Sequence, residues 1–396
     1  MQYQTYPDYI RTSNRFCDSI PEGWELRKMK FMAAIQNGRD HKEVESDEGF
    51  NVLGSGGIFA KATEYLYDGE SVLFGRKGTI DAPLYVNEKF WTVDTMYYTI
   101  VHSNTVPRFL YYLAKAIPFQ YLATQTALPS MTQFDLGNFF LCFPKIEEQQ
   151  KIVIFLDYKT QQIDQLIEKK KFLIEKLEEK RIAVITQVVT KGLDKNVKLI
   201  PSGVDWLGDV PEHWGIRRLK FMASIENGRD YKEVEVEEGG HPVYGSGGEF
   251  RRASEFLYEG ESVLFGRKGT IDKPLYVNGR FWTVDTMFYS EIYSDTNPMF
   301  LYYSALTFQY QKLATQTALP SITQSDLGNY LLCYPNLLEQ KNIASFLDAQ
   351  CKKIDQMLEV NNRAMEALEE YRAAIITSAV TGKIDVREVL ISKEAA

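Results

Sequence analysis

The stretch SVLFGRKGTIDAPLYVN, Ser71 to Asn87, returns as SVLFGRKGTIDKPLYVN, Ser262 to Asn278, with one substitution. No other feature limits the fold as strongly, because whatever structure the first half adopts the second must adopt as well. The repeat is longer than this stretch. WELRKMKFMAAIQNGRD from Trp24 returns as WGIRRLKFMASIENGRD from Trp214, at an offset of 190. One inserted residue then makes the offset 191, from Gly54-Ser55-Gly56-Gly57 and its copy Gly245-Ser246-Gly247-Gly248 to the end. Two units of this size are too long and too few for a solenoid, whose repeats run to roughly 20–50 residues and number at least three. The chain is a duplicated domain with its linker. Residues 71–98 and 262–289 differ at only four of 28 positions, which points to a recent duplication or to selection for two copies of one surface.

Each copy divides again. Its first part is rich in aromatic and β-branched residues and glycine turns. SVLFGRKGTI, PLYVN and FWTVDTMYYTIV read as short strands, and PRFLYYLAKAI as a helix, so a mixed α/β domain is predicted. Residues 146–190 contain no proline or glycine and many strong helix formers, and predict a rod of roughly 68 Å. Ile163, Leu166, Lys170, Leu173, Leu177 and Val184 follow heptad spacing, as do Ile354, Met357, Asn361, Ala364, Leu368 and Ile375. Lys170 and Asn361 stand at one repeat-equivalent position, either a polar register device or a solvated seam position. The expected fold is α/β: two mixed domains separated by two long antiparallel coiled-coil helices, with pseudo-twofold symmetry. The competing arrangement docks each helix on its own domain. The predicted boundaries are 1–145 and 193–336 for the domains, 146–192 and 337–385 for the helices, and 386–396 for a tail.

Composition narrows the function. The chain is 396 residues long, 44% hydrophobic and 25% charged, as expected of a globular protein. Its apolar runs are too short for a membrane helix and its polar start lacks a signal peptide's apolar core, so a cytoplasmic location is expected. Four cysteines without a C-x-x-C pair read as buried thiols, Cys142 and Cys333 being repeat equivalents. A net charge of −8 argues against nonspecific coating of nucleic acid but leaves room for a local basic surface. His41, His102, His213 and His241 form no His/Cys cluster, so no metal site is expected. GRKGT lacks phosphate-loop spacing, GSGG lacks G-x-G-x-x-G, and the Asn-Pro-Pro-aromatic and Asp-Pro-Pro-aromatic tetrapeptides of amino-methyltransferases are missing.

CFPKIEEQQKIVIFLDYKTQQIDQLIEKK from Cys142 and CYPNLLEQKNIASFLDAQCKKIDQMLE from Cys333 resemble the signature that closes each target-recognition domain and opens each conserved helix in specificity subunits of type I restriction-modification enzymes. The matching residues are Pro144, Glu148, Gln149, Ile152, Leu156, Asp157, Ile163 and Asp164, then Pro335, Glu339, Gln340, Ile343, Leu347, Asp348, Ile354 and Asp355. GVDWLGDVPEHWGIRRLKF from Gly203 is similar to the family's entry into a recognition domain; the first copy departs from it upstream. The resemblance implies a noncatalytic subunit that reads a split double-stranded DNA target and positions two adenine-N6 methyltransferase subunits and, through them, restriction subunits. It implies no cofactor in this chain, S-adenosylmethionine and ATP being held by the partners.

The candidate DNA-reading residues follow from side-chain chemistry. Arg76, Lys77 and Thr79, repeated as Arg267, Lys268 and Thr270, form a basic tip between glycines, and Arg suits bidentate contact with guanine. A solvated turn is the alternative. The glycine-rich Gly54, Ser55, Gly56 and Gly57, and Tyr244 with Gly245, Ser246, Gly247 and Gly248, offer backbone N–H groups to a phosphate. Gln125, Thr132 and Gln133, repeated as Gln316, Thr323 and Gln324, carry groups that suit adenine, against helix capping before DLGN. Arg39, Lys42, Arg229 and Lys232 follow an Asn-Gly turn and reach phosphates or make salt-bridged turns. Trp91, Trp282, Asp94 and Asp285 read as structural. Two other functions compete: a coiled-coil scaffold, and a nucleotide- or sugar-binding enzyme built on the glycine loops. Because the copies are so alike, an interrupted palindrome is the expected target.

Overall fold

The computed structural model describes residues 3–14, 16–124, 126, 129–315 and 320–389. It divides into Met1–Lys170 with Arg363–Ala396, and Lys171–Asn362. In the first unit a seven-stranded sheet has the order Ala33–Asn37, Met96–Val101, Tyr67–Gly75, Leu84–Thr92, Phe50–Gly54, Gly57–Ala62, Glu45–Ser46. Neighbours are antiparallel except Phe50–Gly54 beside Leu84–Thr92. The strand Tyr67–Gly75 shows why these residues form this sheet. Its last five residues are all buried, because alternate side chains enter different cores. Val72 and Phe74 join the cluster around helix α1 (Pro107–Ala116), and Leu73 joins Phe90 and Met96 on the other side. Helix α1 starts at a proline, whose missing N–H costs nothing at the first turn, and buries Phe109, Leu110, Tyr112 and Leu113.

After the short helix α2 (Gln133–Asn138), the strand Phe140–Phe143 pairs with Glu25–Lys28 and delivers the chain into α3 (Ile146–Lys191). The second unit repeats the sheet order strand for strand, with α4 (Pro298–Ala305) in the place of α1. Helices α5 (Tyr310–Leu313), α6 (Gln324–Gly328) and α7 (Leu337–Val380) follow. At 46 and 44 residues, α3 and α7 are rods of about 69 and 66 Å.

The signature residues at the starts of these rods are structural. The fully buried Gln149 side chain accepts from Val106 N (2.8 Å) and donates to Pro144 O (3.0 Å), locking α1 to the entry of α3. Gln340 does the same with Asn297 N and Pro335 O. Glu148 accepts from Tyr6 Oη and Glu339 from Trp214 Nε1. Asp157 accepts from Tyr112 and Arg108, Asp348 from Tyr303. Burial and these carboxylates push the Tyr112 and Tyr303 phenols well above their ordinary range. In the first unit Arg372 pairs with Asp164 at 2.8 Å; in the second Arg181 pairs with Asp355 at 3.0 Å. These are one interaction made twice, since Asp164 and Asp355, and Arg181 and Arg372, are repeat equivalents.

Two sequence expectations are corrected. Of the proposed seam, Ile163, Leu177, Ile354, Asn361 and Ile375 are buried, and Lys170, Val184, Ala364 and Leu368 half-buried. Leu166, Leu173 and Met357 are 46%, 42% and 51% exposed, while Ile167, Ile174 and Leu358 turn inward. Adjacent apolar pairs at 166/167 and 173/174 satisfy either heptad spacing. The phase is set upstream, where Leu156 and Thr160 are already buried, so the next inward steps fall at 163 and 167. Asn361 turns its amide back to Met357 O at 2.7 Å. The second correction concerns the cysteines. Cys17 is disulfide-bonded to Cys142, whereas Cys333 and Cys351 are free and buried. Cys333 has no such partner because Leu207 occupies the repeat position of Cys17.

Candidate nucleic-acid interface

The segment Thr92–Met96 is the hub that gathers the chemistry-bearing turns. Its Thr92 and Met96 carbonyls accept from Arg39 N (2.9 Å) and Gly38 N (3.0 Å), fixing the Asn-Gly-Arg turn. Thr95 O accepts from Arg76 N at 2.7 Å, fixing the basic turn. Val93 N and the Thr92 hydroxyl both donate to Leu53 O, at the strand end that leads into Gly54–Gly57. Every one of these bonds has its counterpart in the second copy: Arg229 N to Thr283 O, Gly228 N to Met287 O, Arg267 N to Thr286 O, and Val284 N with the Thr283 hydroxyl to Tyr244 O. Trp91 and Trp282 are buried and donate to Arg39 O and Arg229 O, the structural part expected of them.

The basic turn has its glycines for steric reasons. A Cβ on Gly75 would meet Thr79 O at 2.0 Å, and Gly78 sits at φ +79°. Arg76 O and Pro129 O accept from Met131 N and Gly78 N, so the loop at 129–131 braces the turn. The Arg76 guanidinium donates to Asp94 O at 3.3 Å and lies 5.9 Å from the Tyr97 ring centre, while Lys77 projects into solvent. Arg267 repeats this with Asp285 O (3.2 Å) and Phe288 (5.8 Å). The turn is therefore a rigid support with one half-buried arginine and one free-standing lysine, the same in both domains.

Other candidates are placed differently. Thr132 and Thr323 cap α2 and α6, accepting from Asp135 N (3.0 Å) and Asp326 N (3.1 Å) and donating to the same aspartates. Gln133 and Gln324 donate to Ile35 O and Ile225 O. The capping alternative thus accounts for the threonines, and the glutamine amides are engaged in tethering the helix to the sheet. Tyr244 is half-buried, its ring packing edge-on against Phe281 at the margin of the core. Gly54 and Gly57 close a two-residue turn whose tip, Ser55-Gly56, is open, as Ser246-Gly247 is between Gly245 and Gly248. Arg39 and Arg229 are exposed and, among the described residues, make no side-chain ion pair. Lys42 is paired loosely with Asp40 at 3.8 Å, and Lys232 is exposed. Thr79 and Thr270 are exposed, their carbonyls lying under Gly75 and Gly266. Gln125 and Gln316 lie outside the described residues.

What these segments build in the first domain is a cleft of about 740 Å³, lined by Arg76, Lys77 and Gln133 together with Lys30, Asn37, Tyr97, Phe134 and Asn138. Its described lining holds three cations and no carboxylate, a local basic surface on an acidic chain. Lys30 donates to Asn138 at 3.1 Å, and burial holds the Tyr97 phenol above its usual range. Sequence reading missed Lys30, Asn37, Asn138 and Phe134. The signal was available, since Lys30, Asn37 and Asn138 recur as Lys220, Asn227 and Asn329.

The two halves of the chain match the type I restriction modification DNA specificity domain, over residues 21–177 and again over 211–365. The chain belongs to that family. It is a specificity subunit of a type I restriction-modification system, a finding that does not favour the scaffold and nucleotide-enzyme readings. It is 25% identical over 368 residues to the type I restriction enzyme MjaVIII specificity subunit of Methanocaldococcus jannaschii, covering 82% of this chain and 79% of that one. It is 23% identical to the putative MjaX specificity subunit of the same organism, covering 93% and 95%. In fold it is similar to a solved chain of the type I R-M system, with a TM-score of 0.72, 16% identity and 91% and 98% coverage. The HsdS subunit of Thermoanaerobacter tengcongensis gives 0.52, with 15% identity and 92% and 98% coverage. Among the described residues of this specificity subunit, no helix is long and apolar enough to cross a membrane, and no group of three His, Cys, Asp or Glu side chains is placed to hold a metal.

Proposed function

We propose that each sheet domain lays its basic cleft on one half of a split double-stranded DNA target, and that the chain selects the site while partner subunits perform the chemistry. The observation that carries this reading is the cleft itself, three cations without a carboxylate, on a framework of bonds made twice in one chain. Cations at such a surface neutralise phosphates, and an arginine held by its own backbone turn presents a fixed fork to a base edge. The Ser55-Gly56 tip, with open space beside Gly56, is a further turn that could present backbone N–H groups to a phosphate. The domain and helix boundaries drawn from the sequence belong to this proposal, as does a cytoplasmic location, where DNA is within reach.

The partners in this reading are two adenine-N6 methyltransferase subunits and, where restriction accompanies modification, the restriction subunits. S-adenosylmethionine and ATP belong to those chains. Two copies of one reading surface select the same bases, and placing one methylated adenine on each strand requires the second half-site to be the reverse complement of the first. An interrupted palindrome follows, with a gap of about 5 to 8 base pairs when the half-sites are centred about one DNA turn apart. Single-molecule sequencing of DNA modified by the assembled methyltransferase tests this. Inverted, related half-sites are expected; unrelated half-sites would overturn the link between duplication and symmetry.

A further inference from the structure

The residues that line the first domain's cleft are nearly all repeated in the second domain, and the few differences are informative. Lys30, Asn37, Arg76, Lys77 and Gln133 recur unchanged as Lys220, Asn227, Arg267, Lys268 and Gln324. Ala34, Tyr97 and Met131 become Ser224, Phe288 and Ile322, each close in size. Phe134 becomes Ser325, a change from a large apolar ring to a small hydroxyl.

Phe134 lines the first cleft yet is 75% exposed, more than any other large hydrophobic residue among those described. It is the second residue of α2, and its position is well determined. Thr132 caps the helix, Gln133 is tied to Ile35 O at 2.8 Å, and Asn138 donates to Phe134 O at 2.9 Å. The fold does not require the ring. Ser325 occupies the same place in α6 with the same threonine cap and the same glutamine tether. An aromatic ring left in water forgoes the transfer free energy its burial would supply, so this side chain has an unused apolar surface on the wall of a cation-lined cleft.

We propose that Phe134 is a specificity-determining residue that makes an apolar contact with a base in the half-site of the first domain, the thymine 5-methyl group being the fitting surface. This rests on the cleft being the DNA face. Thymine alone presents a methyl group in the major groove, and a serine hydroxyl at the same place tolerates either a donor or an acceptor. The target is then an interrupted palindrome with one exception, a position where thymine is preferred in the first domain's half-site and relaxed in the second's.

The test uses the full chain assembled with its methyltransferase subunit, comparing wild type, Phe134→Ser and Ser325→Phe by single-molecule sequencing of methylated sites. Each substitution installs a residue that the other copy already carries in this setting, and equal melting temperatures confirm intact folding. In wild type, thymine should be favoured by about fourfold at one position of one half-site, the ratio that burying a single methyl group supplies. Phe134→Ser should erase that preference, and Ser325→Phe should create it in the other half. Unchanged base frequencies in both variants would overturn the proposal. The double substitution Arg76→Ala with Lys77→Ala separates the two levels. If it alters the methylated sites while Phe134→Ser does not, the cleft reads DNA without the ring; if both are silent, the DNA face lies elsewhere.

Discussion

In the proposed reading, Arg76 and Arg267 read bases, which takes a charge and a backbone that cannot drift. The charge is visible in GRKG. The rigidity comes from Thr95, Asp94 and the loop at 129–131, none of them adjacent in sequence. Replacing Arg76 and Lys77 with alanine, or Arg267 and Lys268, should weaken specific binding by about 1–3 kcal/mol for each lost base contact, or lower the salt slope by about one per lost phosphate contact. A titration of the assembled methyltransferase against salt concentration checks this, and wild-type affinity and slope in both double variants would reduce the turn to a support. The limits of residue-level reading are equally clear at Thr132 and Gln133. Their chemistry suits adenine, but the hydroxyl of one and the amide of the other are engaged within the domain.

At the scale of elements, the rods were legible as helices because 45 residues without proline or glycine have little alternative. Their seam was half legible. Ile163 and Leu177 were recognised, whereas Leu166 and Leu173 were chosen over their inward neighbours because local spacing does not distinguish a step of three from a step of four. The docking of Leu156 and Thr160 settles the phase, and that information lies in the tertiary contacts of the first domain. The seam dictates how the rods tolerate length changes. Seven residues inserted in each rod keep the heptad phase and add about 10.5 Å, close to three base-pair steps of 3.4 Å. If the rods space the two reading heads, the gap in the methylated target should grow by about three base pairs with the half-sites unchanged. Sequencing the modified sites of such a variant decides it, an unchanged gap rejecting the ruler.

The whole molecule shows how a duplicated chain completes its first copy. In the second unit, the chain leaves α3 and passes through residues 192–213 into the sheet domain, and Gly192 rests against Trp214. The first unit does the same with two pieces. Gly382 rests against Trp24 and Pro21 and accepts from Tyr9 Oη (2.9 Å), Asp385 N donates to Gln4 O (2.8 Å), and Val386 is buried in the core. Arg387 holds Asp385 below the usual carboxylate range and stacks over Tyr6. Removing residues 382–396 should therefore destabilise the first unit alone, by about 2 kcal/mol from Val386 burial. Hydrogen exchange checks this: protection should fall around residues 3–24 and hold at 192–214, and equal losses in both places would refute it.

The sequence by itself determined the duplication, the mixed α/β character of each copy, the two rods and the family, because repetition, hydrophobic period and signature spacing are properties of the chain read locally. It also made the basic turn conspicuous, since a glycine on each side of Arg-Lys marks a tight reversal with its charges at the tip. Only the tertiary structure decided which polar groups remain free. It engaged Thr132 and Gln133 at home, packed Tyr244 half-buried against Phe281, joined Cys17 to Cys142, and brought Lys30, Asn37 and Phe134 to Arg76 from distant parts of the chain. A side chain's availability depends on its neighbours in space, and that is information no local pattern contains.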